Sequence, residues 1–116
     1  HTVIKIFMKR LVITHNVIEG FHSYPNAPEE VDFLQYRHRH NFVVRCKFQV
    51  SYSNREVEIF LKQDEITKKF KEKYGIPAEF HNMSCEMIGE WILEEFDNCI
   101  EAEVLEDGFG GAIIQR

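Results

Sequence analysis

From His38 to Tyr52 the chain alternates between apolar and polar side chains. His38, His40, Phe42, Val44, Cys46, Phe48, Val50 and Tyr52 share one parity. Arg39, Asn41, Arg45, Lys47, Gln49 and Ser51 share the other, where Val43 is the one apolar residue. A period of two is that of a β-strand, so the stretch predicts a strand with one face in a core and one in water. The two histidines that open it fall on the inward face. Imidazoles directed inward from a strand are suited to binding a metal ion.

The flanking chain is read around this strand. Thr2 to about His22 is rich in β-branched and aromatic residues and predicts one long or broken strand, with Lys9-Arg10 as the break. Ser23–Glu30, with two prolines, is a loop, and Val31–Arg37 leads back into the second strand. Ser53-Asn54-Arg55 suits a hairpin turn, and Val57, Ile59 and Leu61 alternate with Glu56, Glu58 and Phe60 as a short return strand. Gln63-Asp64-Glu65 starts a helix that Gly75 and Pro77 stop. Ser84 caps a second helix, whose buried stripe is Met87, Ile88, Trp91, Ile92 and Phe96. Strands at about Ile100–Glu106 and Ala112–Gln115 close the chain, joined by a glycine-rich turn.

With 116 residues, one domain over 1–116 is expected. A net charge of −5 without a basic stripe weighs against a nucleic-acid module. No apolar run has the length of a membrane span, and none reads as a signal peptide. Cys46, Cys85 and Cys99 are scattered and odd in number, which points to a reducing compartment, the cytoplasm.

Three constellations carry chemistry. His38-x-His40 puts two rings on one face, and the loop before it can return His22 beside them. Three neutral imidazoles leave one zinc position open, the catalytic arrangement. The competing readings are a surface accident and a hydrogen-bonded pair of core histidines, and the inward parity favours the metal. His15 and His81 are spare; seven positions from His22, His15 points the other way on a regular strand. Glu106 shares parity with Ile100, Ala102 and Val104, so a carboxylate ends an apolar face. It is either a strand-end glutamate turned to solvent or an acceptor for a guanidine-like ring edge, as in a pterin or guanine. Met83-Ser84-Cys85-Glu86 is a helix cap with an acid in the first turn. Cys85 there is either an inert thiol or one whose pKa the helix N-terminus lowers.

Taken together with the order two strands, two helices, two strands, these elements resemble the 6-pyruvoyl-tetrahydropterin synthase family, which includes the 6-carboxy-tetrahydropterin synthases. Ile18-Glu19-Gly20-Phe21-His22 is similar to the family's histidine ending the first strand, and His38-Arg39-His40 to its His-Gly-His. Met83-Ser84-Cys85-Glu86 is similar to its Pro-Thr-x-Glu, and Val104-Leu105-Glu106-Asp107 to its late Val-x-Glu-Thr-like strand. The resemblance spans residues 10 to 116 and implies an α+β tunnelling fold, a four-stranded antiparallel sheet with two helices on one face (ββααββ). It implies Zn2+ on His22, His38 and His40, with Glu106, joined by Glu86, holding the pterin ring. It also implies a homo-oligomer, often a hexamer, whose subunits join their sheets.

The departures bear on catalysis. Arg39 stands for the glycine of His-Gly-His, Ser84 for the threonine and Met83 for the proline. The family's nucleophile-like cysteine falls on Leu34, and the Leu-Asp-His segment of its acid–base pair has no match. A folate-pathway branch uses a nearby glutamate instead, where this chain has Gln35. The scaffold and metal site are retained while the proton-transfer groups are absent or rebuilt, with His81, Asp32 and Cys85 as candidate bases. The expected function is a zinc-dependent lyase on a 7,8-dihydroneopterin triphosphate-like substrate. The rival is a degenerate member that binds a pterin, purine or nucleotide without turnover.

Overall fold

The computed structural model of the protein describes residues 8–116. The first-strand residues expected before Met8 lie outside the described residues. Strand β1 runs Arg10–His22 and pairs antiparallel with β2, His38–Val50, along its whole length. A 3₁₀ helix, Glu29–Gln35, lies in the connection, where a loop and a lead back into the second strand were expected. Helix α1 spans Ile59–Tyr74, a short β3 spans Ala78–Glu79, and α2 spans Cys85–Glu95. Strands β4, Cys99–Glu106, and β5, Gly110–Gln115, finish the chain.

The class is α+β, but the sheet is not four-stranded and antiparallel. It has five strands in the order β3-β1-β2-β4-β5, and β3 lies parallel to β1. The two residues of β3 were unreadable as a strand because a pattern of period two needs more than two positions.

The expected return strand after the Ser53-Asn54-Arg55 turn is instead the start of α1. Val57 is buried and anchors the segment, while Phe60 and Leu61 are 75% and 69% exposed. Alternation at Val57, Ile59 and Leu61 therefore reflects no sheet face. The Glu58 side chain accepts from the Leu61 amide at 3.0 Å and caps the helix, which begins one turn before Gln63. The stop at Gly75 agrees with its positive φ of 85°. Ser84 caps α2 through the Met87 amide.

Inward residues of β1, β2 and β4 meet both helices in a single core. Phe42, Val44, Cys46 and Phe48 from β2 are fully buried beneath Ile66 and Phe70 of α1 and Ile88 and Ile92 of α2. A register shift at Lys47/Phe48 pairs Phe48 with Cys99, so Cys99 turns inward where Ile100 was expected to begin the apolar face. The other sheet face carries exposed Leu11, Ile13, Val17 and Ile113. No helix among the described residues is long and apolar enough to cross a membrane.

Phe42 also meets the rings of His22 and His40 edge-on, at 5.2 and 5.5 Å between centroids. Phe42→Ala is expected to cost about 3–5 kcal/mol in urea unfolding, as for other large buried aromatics. A loss under about 1 kcal/mol would contradict this packing.

Candidate metal centre and adjoining cavity

The antiparallel register sets His22 directly opposite His38, and Gly20 opposite His40. Side chains two apart share a face, so all three imidazoles point into the core side at one end of the sheet. Their ring centroids lie 4.5, 5.2 and 4.9 Å apart. One nitrogen of each lies within 4.8 Å of the others, a group that can hold a metal ion. His15 is exposed on the opposite face, as its spacing requires.

Hydrogen bonds settle the tautomers. His22 Nδ1 is 2.8 Å from the Met83 carbonyl oxygen, and His38 Nδ1 is 2.8 Å from that of Tyr36. A carbonyl only accepts, so each Nδ1 carries the proton. His40 Nδ1 donates to Asp107 Oδ2 at 2.7 Å. Every Nε2 is thereby left with a lone pair, and those of His22 and His40 are buried with no hydrogen-bond partner among the described residues. Ligating histidines are oriented in this way by an acceptor on the far nitrogen. The residues fit a metal: a buried orphan acceptor is costly alone and is satisfied by a cation.

Asp107 was missed in the sequence. It sits at φ 54° in the turn after β4, where its Oδ1 also accepts from the Asn41 amide at 2.8 Å. That amide, then His40, holds its carboxyl below the usual carboxylate range. Its position beside Glu106 was the available signal. The Met83 and Tyr36 carbonyls carry none, because any residue supplies a carbonyl.

Glu106 ends β4 across from Phe42 and is half-buried. Its Oε2 is 3.1 Å from His22 Nε2 and 3.7 Å from His40 Nε2. It is therefore turned to the histidines rather than to bulk solvent. A cavity of about 560 Å3 opens beside them, lined by His22, His38, Leu34, Cys85, Glu86, Met87 and Glu106 among others. Met87 was expected in the buried stripe of α2; it lies on the helix's first turn and faces this cavity, half exposed.

The other expected residues separate. Glu86 is exposed on the cavity wall. His81 and Asp32 are exposed and do not line the cavity. Cys85 lines it, but its thiol is not acidified. Burial, then the charges of Glu106 and Glu86, push its pKa up to about 12, overriding the helix N-terminus. Near neutral pH it is a protonated thiol, not a thiolate base.

The sequence matches no family model and no curated protein.

Burial lowers the pKa of His22 below its ordinary 6.5, outweighing the Met83 and Glu106 contributions that raise it; His38 and His40 lower it further. The unfolded chain takes up this proton near 6.5, the folded chain only at lower pH. The stability tied to neutral His22 is therefore complete above about 6.5 and is lost as pH falls through the folded value. Metal-free protein should need less urea to unfold at pH 5 than at pH 7.5, and His22→Gln should flatten that dependence. An equal slope in the variant would rule out His22 as its source.

Proposed function

We propose that the chain is a zinc-dependent lyase of the 6-pyruvoyl-tetrahydropterin synthase type, acting on a 7,8-dihydroneopterin triphosphate-like substrate. The observation that carries this reading is the convergence of three histidine ring nitrogens beside a cavity. A zinc ion held by His22, His38 and His40 would supply Lewis acidity, lowering the pKa of a substrate hydroxyl toward neutrality.

The chain's own residues bind and orient. The Met83 and Tyr36 carbonyls and Asp107 hold the three rings in one tautomer. Glu106 and Glu86 offer carboxylates on the cavity wall to the paired N–H donors of a pterin ring. Leu34, Met83 and Met87 give that wall apolar surface for the ring's faces. Three free, buried cysteines suit a reducing, cytoplasmic setting.

A specific observation favours the second reading, a relative that binds a pterin, purine or nucleotide without turnover. Leu34 lines the cavity, at the position where the resemblance puts a cysteine. Leucine moves no proton, and a placed acid or base typically contributes about 10²–10⁴-fold. Purified protein should carry about one zinc per chain, by the three-histidine arrangement, and the His22/His38/His40 triple alanine variant none. Turnover of dihydroneopterin triphosphate should be weak and should rise in Leu34→Cys. Metal retained by the triple variant would remove the reading. Binding of the pterin with no turnover in either protein would select the second one.

Among the described residues one sheet face is left uncovered and the outer edge of β5 has no strand partner; both favour a homo-oligomer larger than a dimer, since open edges and apolar faces are covered in stable proteins. Light scattering at micromolar concentration should give such a mass; a monomer would count against it.

A further inference from the structure

On the reading above that Glu106 holds a ring, we propose that Gly110 determines which ring the cavity admits. The space that a side chain at 110 would fill is the seat of a flat, two-ring heterocycle whose guanidine-like edge meets Glu106.

Gly108, Gly110 and Gly111 stand together where β4 turns into β5. Two of them have a reason in the fold. Gly108 sits at φ 80°, a backbone conformation that side chains disfavour. A Cβ on Gly111 would collide with the carbonyl oxygen of Val104. Gly110 has neither reason. Its φ lies outside the left-handed region, and a Cβ placed on it meets no atom of the described residues within 4 Å. The backbone would accept a side chain here, so the room beside Gly110 is not a requirement of packing.

The strand register locates that room. Gly110 pairs with Glu106, as Ala112 pairs with Val104 and Ile114 with Ala102. Residues directly opposite in an antiparallel pair share a face, with Cβ positions about 4.5–5.5 Å apart. Val104 and Ala102 are buried, and Ala112 and Ile114 pack against the core. The pair Glu106 and Gly110 therefore ends the inward-facing row. A side chain at 110 would stand beside the Glu106 carboxylate on the cavity side of the sheet, and both residues line that cavity.

A carboxylate takes a guanidine-like edge through two parallel N–H···O bonds, which puts the rest of the ring system beyond its oxygens. Next to Glu106 the wall is bare backbone at Gly110, and elsewhere Leu34, Met83 and Met87 give it apolar surface. Bare backbone leaves width for a second fused ring, where a side chain would leave width for one. Pterin and guanine share both this edge and this width.

Calorimetric titration with neopterin and with guanosine, in separate arms, tests the proposal. Wild-type protein should bind one of them, and the tighter of the two identifies the source of the ring. Gly110→Ala should weaken that binding about tenfold and Gly110→Leu more than about 100-fold, the scale set by one or several methylenes in a close-fitting pocket. Both variants should keep the metal content and the urea midpoint of the wild type, since a side chain at 110 touches neither the histidines nor the core. Unchanged affinity in Gly110→Leu would overturn the proposal. A loss of metal or stability in Gly110→Ala that accompanies the loss of binding would also overturn it, because Gly110 would then act through the fold. Should Gly110→Leu not fold, the alanine variant decides by the same criterion. Wild-type protein that binds neither probe would instead remove the ring-holding role of Glu106, and the proposal with it.

Discussion

The pairing of β1 with β2 is the constraint on which the rest depends. It runs unbroken from Arg10 opposite Val50 to His22 opposite His38. A slip of one residue would turn a whole set of side chains to the other face. Thr14, Asn16 and Ile18 would leave the core, and His22 would point away from His38 and His40. The same register therefore holds both the core and the histidine cluster. Burial of Phe42, Val44, Cys46 and Phe48 beneath the helices opposes that slip. The geometry of the histidine cluster is thus maintained by hydrophobic packing along the strand, which reaches the cluster itself at Phe42.

Local polar groups then refine what the register brings together. Three acceptors from three different places, the Tyr36 and Met83 carbonyls and the Asp107 carboxylate, take the Nδ1 protons. The result is a set of buried lone pairs facing a carboxylate, an arrangement unfavourable in isolation and favourable around a cation. The environment also separates the titratable groups. Burial favours neutral His22, and burial, then the charges of Glu106 and Glu86, keeps Cys85 protonated. The cavity wall is consequently rich in acceptors, and its one thiol is no base near neutral pH.

Much of this was legible in the chain. Alternation from His38 to Tyr52 located the inward face of β2 and put both histidines on it, because side chains two apart in a strand must share a face. Gly75 and Ser84 marked helix ends by backbone freedom and capping. The failures have equally local causes. Val57, Ile59 and Leu61 imitate a strand, but Glu58 caps a helix there and two of the apolar residues simply remain exposed. Ile100 lost its inward place to Cys99 because a bulge added one residue, and no composition announces a bulge. Cys85 at a helix start suggested an acidic thiol, yet its pKa depends on burial and on Glu106, which is distant in sequence.

By itself the sequence determined which residues could face together: periodicity follows from covalent backbone geometry, and a strand's parity is written in consecutive residues. That was enough for an α+β chain with His38 and His40 on one face and Glu106 at the end of a buried strand. Only the tertiary structure decided that His22 meets them, that β3 joins the sheet parallel to β1, and that Asp107 rather than a distant acid holds His40. It also decided that His81 and Asp32 stand off the cavity while Leu34 lines it. These are distances between residues far apart in the chain. They follow from strand register and loop closure, which arise from the packing of the whole core and from no short stretch of residues.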